Sequence, residues 1–184
     1  MNMPSKRSEL EYQTPLGTVR GYIFNGGSLE TLAELEVCHP ELPPTMEIAE
    51  CRIFKWHIKA TEDCASFKIV CELDATSKID GGPNSGEWLD AQTWESESHV
   101  LSIGTDDGDY LNFRAGKNLI PKRFMTTHPD GLLWTNYTDN GIEIEIPILL
   151  KGETIEARFS ASWKQKGADK DDCATWYAID LAIH

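Results

Sequence analysis

Apolar residues at every second position are the feature of this chain that most limits its fold. Such alternation places the apolar side chains on one face of a β-strand, whereas a helix requires a period near 3.6. The alternation recurs between short turn signals such as Asn140-Gly141 and Lys151-Gly152. We therefore predict an all-β protein: an antiparallel β-sandwich or flattened barrel of about nine strands, with one or two short helices.

The clearest alternating pattern covers residues 132–163. A two-residue turn at Asn140-Gly141 would pair Tyr137 with Ile144. A second turn at Lys151-Gly152 would pair Ile146 with Ala157. Both assignments put the same isoleucines on one face, so we predict a three-stranded meander here.

Two more hairpins are predicted from the same alternation. The first spans residues 99–114 and is closed by a three-residue loop at 106–108 with Gly108 in the left-handed region. The second joins residues 46–60 to residues 66–73. The apolar positions of its first strand change phase next to Ile53, which predicts either a bulge there or a strand buried on both faces.

The remaining segments are assigned more simply. Residues 19–24, 122–127 and 174–183 are predicted as strands, with a turn at 128–131 and an exposed loop at 164–172. We favour a short helix over residues 28–38, capped by Ser28, although alternation through Ala33, Leu35 and Val37 also fits a strand. We also interpret residues 87–95 as a possible helical turn.

Size and composition indicate one soluble domain over residues 1–184. Hydrophobic residues make up 40 % of the chain, which argues against disorder. No apolar run approaches the roughly 20 residues that cross a membrane, and the first residues lack the apolar core of a secretory signal. The five cysteines include no Cys-x-x-Cys pair. We predict reduced, mostly buried thiols in a cytoplasmic protein, or a Cys51–Cys71 bridge if the compartment is oxidising.

The sequence contains no motif that is typical of catalysis or of cofactor binding. No two of the five histidines stand at a spacing that favours a shared metal ion. The acidic turn at residues 105–109 has Arg114 where a calcium-binding loop needs a glutamate. We therefore expect a protein that is not an enzyme and that binds no cofactor and no metal.

Negative charge is concentrated in one segment. The net charge is -13, and eight carboxylates with no lysine or arginine lie between Lys78 and Arg114. A surface of this charge attracts basic proteins and repels nucleic acids and anionic lipids. Two tryptophans in the segment suit a protein interface, in which aromatic side chains anchor and charges steer. The predicted partner-binding residues are Asp80, Glu87, Trp88, Asp90, Trp94, Glu95, Glu97, Asp106, Asp107 and Asp109, followed by Asp169, Asp171 and Asp172.

Three functions are compatible with these observations. We favour an acidic binding protein that neutralises a basic protein partner, such as an immunity protein that inhibits a nuclease-type toxin, because nucleases present cationic clefts. The first alternative is a β-barrel that carries or converts a small ligand. The second alternative is a carbohydrate-binding module that stacks sugars on exposed tryptophans.

Overall fold

The computed structural model describes residues 7–24, 31–125, 135–167 and 173–183, which form eleven strands and two α-helices. The strands are β1 (Arg7–Thr14), β2 (Gly17–Phe24), β3 (Thr31–Cys38), β4 (Glu50–Ala60), β5 (Phe67–Ala75), β6 (Asp80–Pro83), β7 (Leu89–Glu95), β8 (His99–Asp106), β9 (Thr135–Tyr137), β10 (Gly141–Ile146) and β11 (Thr154–Gln165). The helices are α1 (Gly108–Gly116) and α2 (Ala174–Ile183), and a short 3-10 helix covers Lys122–Phe124.

The strands form two antiparallel sheets that pack face to face. The five-stranded sheet has the order β1-β2-β5-β10-β9, and the six-stranded sheet has the order β3-β4-β11-β8-β7-β6. The core lies between them, where Ile69 and Ile144 of the first sheet meet Trp56 and Phe159 of the second. The all-β sandwich predicted from the alternation is confirmed. The described strands stay in two separate sheets, so the fold is a sandwich and not a closed barrel.

Helix α2 covers part of the outer face of the six-stranded sheet. Its buried apolar residues, Ala178, Ile179 and Ile183, recur at helical spacing and pack with Cys51. A Cβ on Gly104 would lie 2.6 Å from the Ile179 side chain, so this glycine allows the helix to approach the sheet closely. The prediction of a strand at residues 174–183 is wrong. The apolar residues of this segment fit both the two-residue period of a strand and the 3.6-residue period of a helix. The segment forms a helix because its apolar side then packs on the outer face of the six-stranded sheet.

Helix α1 begins directly after β8, where the sequence predicted a hairpin loop. Asp107 is its N-cap and accepts a hydrogen bond of 2.9 Å from the Tyr110 backbone N–H. Leu111 and Ala115 then enter the main core one helical turn apart. The hairpin predicted for residues 99–114 is wrong because the capping aspartate starts a helix instead of closing a turn.

The predicted meander is also wrong, although most of its inward-facing residues were identified correctly. β10 pairs with β9 and β5, whereas β11 lies in the other sheet between β4 and β8. Ile144 and Ile155 are both buried, but they reach the core from opposite sheets. Ile148, expected on the same inner face, is exposed. Face-to-face packing produces the same alternation as a meander, so the pattern alone did not distinguish them.

The hairpin between β9 and β10 exists in a shifted register. Tyr137 lies opposite Ile142 and not opposite Ile144, because the turn is centred on Asp139-Asn140. Gly141 lies after the turn and not within it, so the reason for a glycine here is packing and not the conformation of the turn. A Cβ at this position would lie 2.2 Å from the Cys71 carbonyl oxygen, so the glycine permits a close approach of two backbones.

The predicted pairing of residues 46–60 with residues 66–73 is likewise wrong, because β4 and β5 lie in different sheets. The change of phase in the apolar pattern of β4 arises because the strand is buried on both faces, and not from a bulge. The register with β11 is continuous, so no bulge is present. Phe54 faces the main core while Cys51 faces α2, which confirms a strand buried on both faces. Cys51 and Cys71 therefore belong to opposite sheets, and both are free thiols.

The other segments divide between confirmed and wrong predictions. The early strand at 19–24 is confirmed as part of β2, and residues 31–38 form strand β3, so the favoured helix at 28–38 is wrong. The helical turn predicted for 87–95 is strand β7, and the strand predicted for 122–127 contains the 3-10 helix Lys122–Phe124. Ser28, the turn at 128–131 and most of the predicted loop at 164–172 lie outside the described residues.

Candidate functional site

The acidic segment does not form one surface, because the fold separates its residues into four environments. The first is the interior. Trp94 is only 4 % exposed and belongs to the main core. A Cβ on Gly81 would lie 2.1 Å from the Trp94 ring, which shows how closely the neighbouring strand covers it. Trp94 is therefore a core residue and is not accessible to a partner.

Asp106 is also buried. Its carboxylate is fully enclosed and forms an ion pair with the equally enclosed guanidinium of Arg114 in α1. Arg114 also reaches Glu156 at 3.3 Å, which connects the pair to the outer face of the six-stranded sheet. The charge of Asp106 is therefore neutralised within the molecule and does not contribute to an exposed acidic surface.

The second environment is the junction between the sheets. Asp90 points from β7 toward β9 of the facing sheet and accepts hydrogen bonds from Thr135 and, at 2.9 Å, from the Tyr137 hydroxyl. Burial, with the nearby carboxylate of Asp90, raises the pKa of Tyr137 to about 12. The phenol thus remains a donor at neutral pH, and Asp90 holds the two sheets together at this edge.

The third environment is an open cleft of about 730 Å³ beside β6. Asp80, Glu95 and Glu97 line it together with Lys78 and Lys166. Lys166 forms an ion pair with Glu95 at 2.7 Å. The cleft is therefore mixed in charge and is not a uniformly acidic site.

The fourth environment lies at the N-terminus of α1, beside the turn between β6 and β7. Glu87 and Trp88 form the corner of a turn in which the Gly86 N–H donates to the Leu89 carbonyl. Trp88 has a φ of 70°, an unusual backbone conformation for a bulky residue. The Asp107 N–H donates to the Trp88 carbonyl at 3.1 Å and fixes the turn against the helix.

Three aromatic rings continue from this turn along the outer side of α1. The Trp88 and Tyr110 ring centroids are 5.9 Å apart, and those of Tyr110 and Phe113 are 5.2 Å apart. Trp88 and Phe113 are each 48 % exposed. Lys117, one turn further along, places its ammonium 4.1 Å from the centre of the Phe113 ring. The row is thus already in contact with a cation at one end.

Carboxylates surround the other end of this row. Burial raises the pKa of Asp107, and the nearby charges of Asp109 and Asp90 act in the same direction, against the hydrogen bond from Tyr110. The carboxylates of Asp107 and Asp109 therefore lie close enough to interact. The helix N-terminus reduces the cost of their repulsion, because it carries a partial positive charge. We call the group Glu87, Trp88, Asp107, Asp109, Tyr110 and Phe113 the α1 patch.

The sequence identified four of these six residues and missed Tyr110 and Phe113. Both were assigned to a strand, where they would point to opposite faces. Their spacing of three residues after a capping aspartate was the available signal. Asp169, Asp171 and Asp172, the remaining predicted site residues, lie outside the described residues.

The described residues contain neither a metal-binding cluster nor a helix that could span a membrane. No group of three or more histidine, cysteine, aspartate or glutamate residues in this part of the chain is arranged to hold a metal ion. None of the helices described has the length and apolar character needed to cross a bilayer.

Known proteins provide no further assignment. The chain matches no protein-family model, no curated protein and no solved structure. Its function must therefore be argued from the site itself.

Proposed function

We propose that this protein binds a basic protein partner through the α1 patch and neutralises it, as an immunity protein neutralises a nuclease-type toxin. The observation that supports the proposal is the row of exposed rings bordered by carboxylates. Exposed tryptophan and tyrosine residues supply large rigid contact areas at protein interfaces. Carboxylates around them select a cationic partner and accelerate its approach.

The cation already seated on the row indicates what the partner brings. Lys117 occupies the Phe113 end at 4.1 Å, so the geometry of the ring face suits an ammonium or guanidinium group. Trp88 and Tyr110 are both tied to Asp107, because the Asp107 N–H donates to the Trp88 carbonyl and the Tyr110 N–H donates to the Asp107 carboxylate. A lysine or arginine of the partner that stacked there would also reach a carboxylate. Basic clefts of proteins that act on nucleic acids present such side chains.

The alternative functions receive less support from the geometry. The space between the sheets is filled by side chains such as Trp56, Phe67 and Phe159, which leaves little room for a ligand of the kind that β-barrel carriers enclose. A carbohydrate-binding module would use the same exposed rings but would not need the surrounding carboxylates. Polysaccharide binding that depends on Trp88 would favour that alternative.

The test begins with the capture of partners from a lysate of the source organism. The wild-type chain and the variant Trp88→Ala are immobilised and compared at low salt. Tyr177→Ala is the matched control, because Tyr177 is similarly exposed but lies on α2. We expect a basic protein that is captured by the wild type and the control but lost with Trp88→Ala.

The captured protein is then purified and titrated with each variant. Asp109→Asn should slow association and reduce its dependence on salt, and the wild-type chain should block the activity of the partner. The proposal fails if the captured protein is not basic. It also fails if its affinity is the same for the wild type, Trp88→Ala and Asp109→Asn.

A further inference from the structure

Four strands form the edges of the two sheets, and three of them have features that prevent further pairing. β1 has an irregular register between Arg7 and Leu10. β9 has three residues in the part of the chain that the structure describes, and β6 has four, with Gly-Gly-Pro in its sequence. Bulges, short length and proline are the usual means by which proteins protect an edge against an added strand. β1, β6 and β9 are therefore poor templates for a partner.

β3 lacks all of these features. It is eight residues long, contains no proline, lysine or arginine, and pairs with β4 in an uninterrupted register from Thr31 to Cys38. β1 of the facing sheet passes beside it, but β1 is hydrogen-bonded only to β2 among the described strands. Within the described ranges no strand is hydrogen-bonded to the outer edge of β3, so this edge presents regular backbone donors and acceptors to a further strand.

The side chains of β3 define what such a strand must carry. Ala33 and Leu35 pack against the margin of the core, and Val37 next to them is 40 % exposed. Glu34 and Glu36 point to the opposite, outer face and are both exposed. Glu36 lies 3.1 Å from His57 and 3.8 Å from Lys55 of β4, whereas Glu34 has no charged partner among the described residues and is the carboxylate left for a cation. An added strand would thus meet apolar residues and carboxylates at alternating positions.

The carboxylates also decide between two occupants. A second copy of the chain pairing through its own β3 would bring glutamates close to glutamates, and facing like charges destabilise a strand pair. A strand with lysine or arginine at every second position would instead form opposite-charge pairs. We propose that β3 is a docking edge for an extended, basic segment of a partner protein in which cationic and apolar residues alternate. This site is separate from the α1 patch and does not depend on the proposed function.

The probe is a peptide with the eight-residue length of β3 in which lysine and valine alternate. A peptide of the same composition, with all lysines before all valines, controls for charge alone. We expect the alternating peptide to bind more tightly and to shift the NMR amide signals of residues 33–37. Trp88→Ala should bind it as the wild type does, which separates this site from the α1 patch.

Charge exchange tests the assignment of the glutamates. Glu34→Lys should weaken the binding of the lysine-valine peptide by about tenfold and should strengthen the binding of a peptide that alternates glutamate and valine. Glu145→Lys makes the same charge change on an exposed position of the five-stranded sheet and should leave both affinities unchanged.

Three results would overturn the proposal. The first is equal binding of the two lysine-valine peptides. The second is amide shifts that lie away from β3, and the third is a Glu34→Lys variant with unchanged affinity. Sedimentation equilibrium provides a further test. A wild-type dimer whose dissociation constant changes in Glu34→Lys would show that a second copy occupies the edge, contrary to the proposal.

Discussion

The buried ion pair of Asp106 and Arg114 allows a sharp test of how the acidic segment is divided between structure and surface. Both side chains are fully enclosed. Replacing Arg114 with methionine would leave the Asp106 carboxylate buried without its charge partner. Breaking a buried pair in this way costs about 3–5 kcal/mol. For a chain of 184 residues, each kcal/mol lowers the Tm by about 2–4 °C, so we expect a decrease of roughly 6–20 °C.

An exposed arginine provides the control for this substitution. Arg20 forms ion pairs with Glu11 at 3.4 Å and with Asp74 at 3.1 Å, and 41 % of its side chain is exposed. Because each exposed ion pair contributes about 0–1 kcal/mol, Arg20→Met should cost no more than about 2 kcal/mol and lower the Tm by no more than about 8 °C. The measurement is thermal and urea unfolding followed by circular dichroism.

Removing both charges should restore much of the lost stability. One oxygen of Asp106 and the Nε of Arg114 have no hydrogen-bond partner among the described residues, so the pair is incompletely satisfied. The double variant Asp106→Leu with Arg114→Met should therefore be at least about 2 kcal/mol more stable than the sum of the single effects predicts. If Arg114→Met costs less than about 1 kcal/mol, or if the two single effects simply add, Asp106 is not held as described.

Two further predictions concern local packing and pH. Gly81→Ala would place a Cβ 2.1 Å from the Trp94 ring and should lower the free energy of unfolding by about 1–3 kcal/mol. Gly82→Ala is the control, because a Cβ there has nothing within 4 Å, and it should change the free energy by less than about 0.5 kcal/mol. Both values are measured by urea titration. The hydrogen bond from Arg123 lowers the pKa of Glu153 below its ordinary value of 4.5. The ionised Glu153 carboxylate therefore stabilises the fold above pH 4.5. This contribution is lost as the pH falls through the lower pKa of the folded state. The free energy of unfolding, measured from pH 7 downward, should therefore decrease less steeply below pH 4.5 in Glu153→Gln than in the wild type. Equal slopes for the two proteins would contradict this assignment.

The sequence predicted which residues of the strands face inward, but not which strands are neighbours. Ile144 and Ala157 both face the core, as their alternation indicated, although they come from different sheets. Alternation reports only that one side of a strand is covered. In a sandwich, consecutive strands can cross from one sheet to the other, so the identity of the covering layer depends on the whole topology.

Both helices were missed because their local patterns were ambiguous without the sheet. Leu111 and Ala115 are spaced for a helix, but Leu111 and Phe113 are also spaced for a strand. Asp107 decides between them by capping the helix, and the same residue type is common in hairpin loops. Helix α2 depends on space above the sheet, which residues such as Gly104 provide. The sequence of α2 itself does not show that this space exists.

The α1 patch was predicted only in part for a related reason. Asp106 and Asp107 are adjacent and chemically identical, yet one is enclosed and the other caps a helix at the surface. Their environments differ because α1 starts between them and brings Arg114 back over Asp106. The charge density of the segment was visible in the sequence, but its division between interior and surface depends on where this helix begins.

Negative charge remains concentrated at the start of α1 because, among the residues described, the carboxylates there are not paired with arginine or lysine in the way that Asp106 and Glu95 are. Asp106 is neutralised by Arg114, and Glu95 is paired with Lys166, so neither adds a full charge to the surface. Asp107 and Asp109 are placed instead where the first backbone N–H groups of the helix favour an anion. A helix N-terminus lowers the cost of holding carboxylates together without cancelling their charge as an arginine would. A basic partner of the kind proposed would therefore meet these carboxylates beside the Trp88 and Tyr110 rings, where the exclusion of water on binding would strengthen their attraction for a cation.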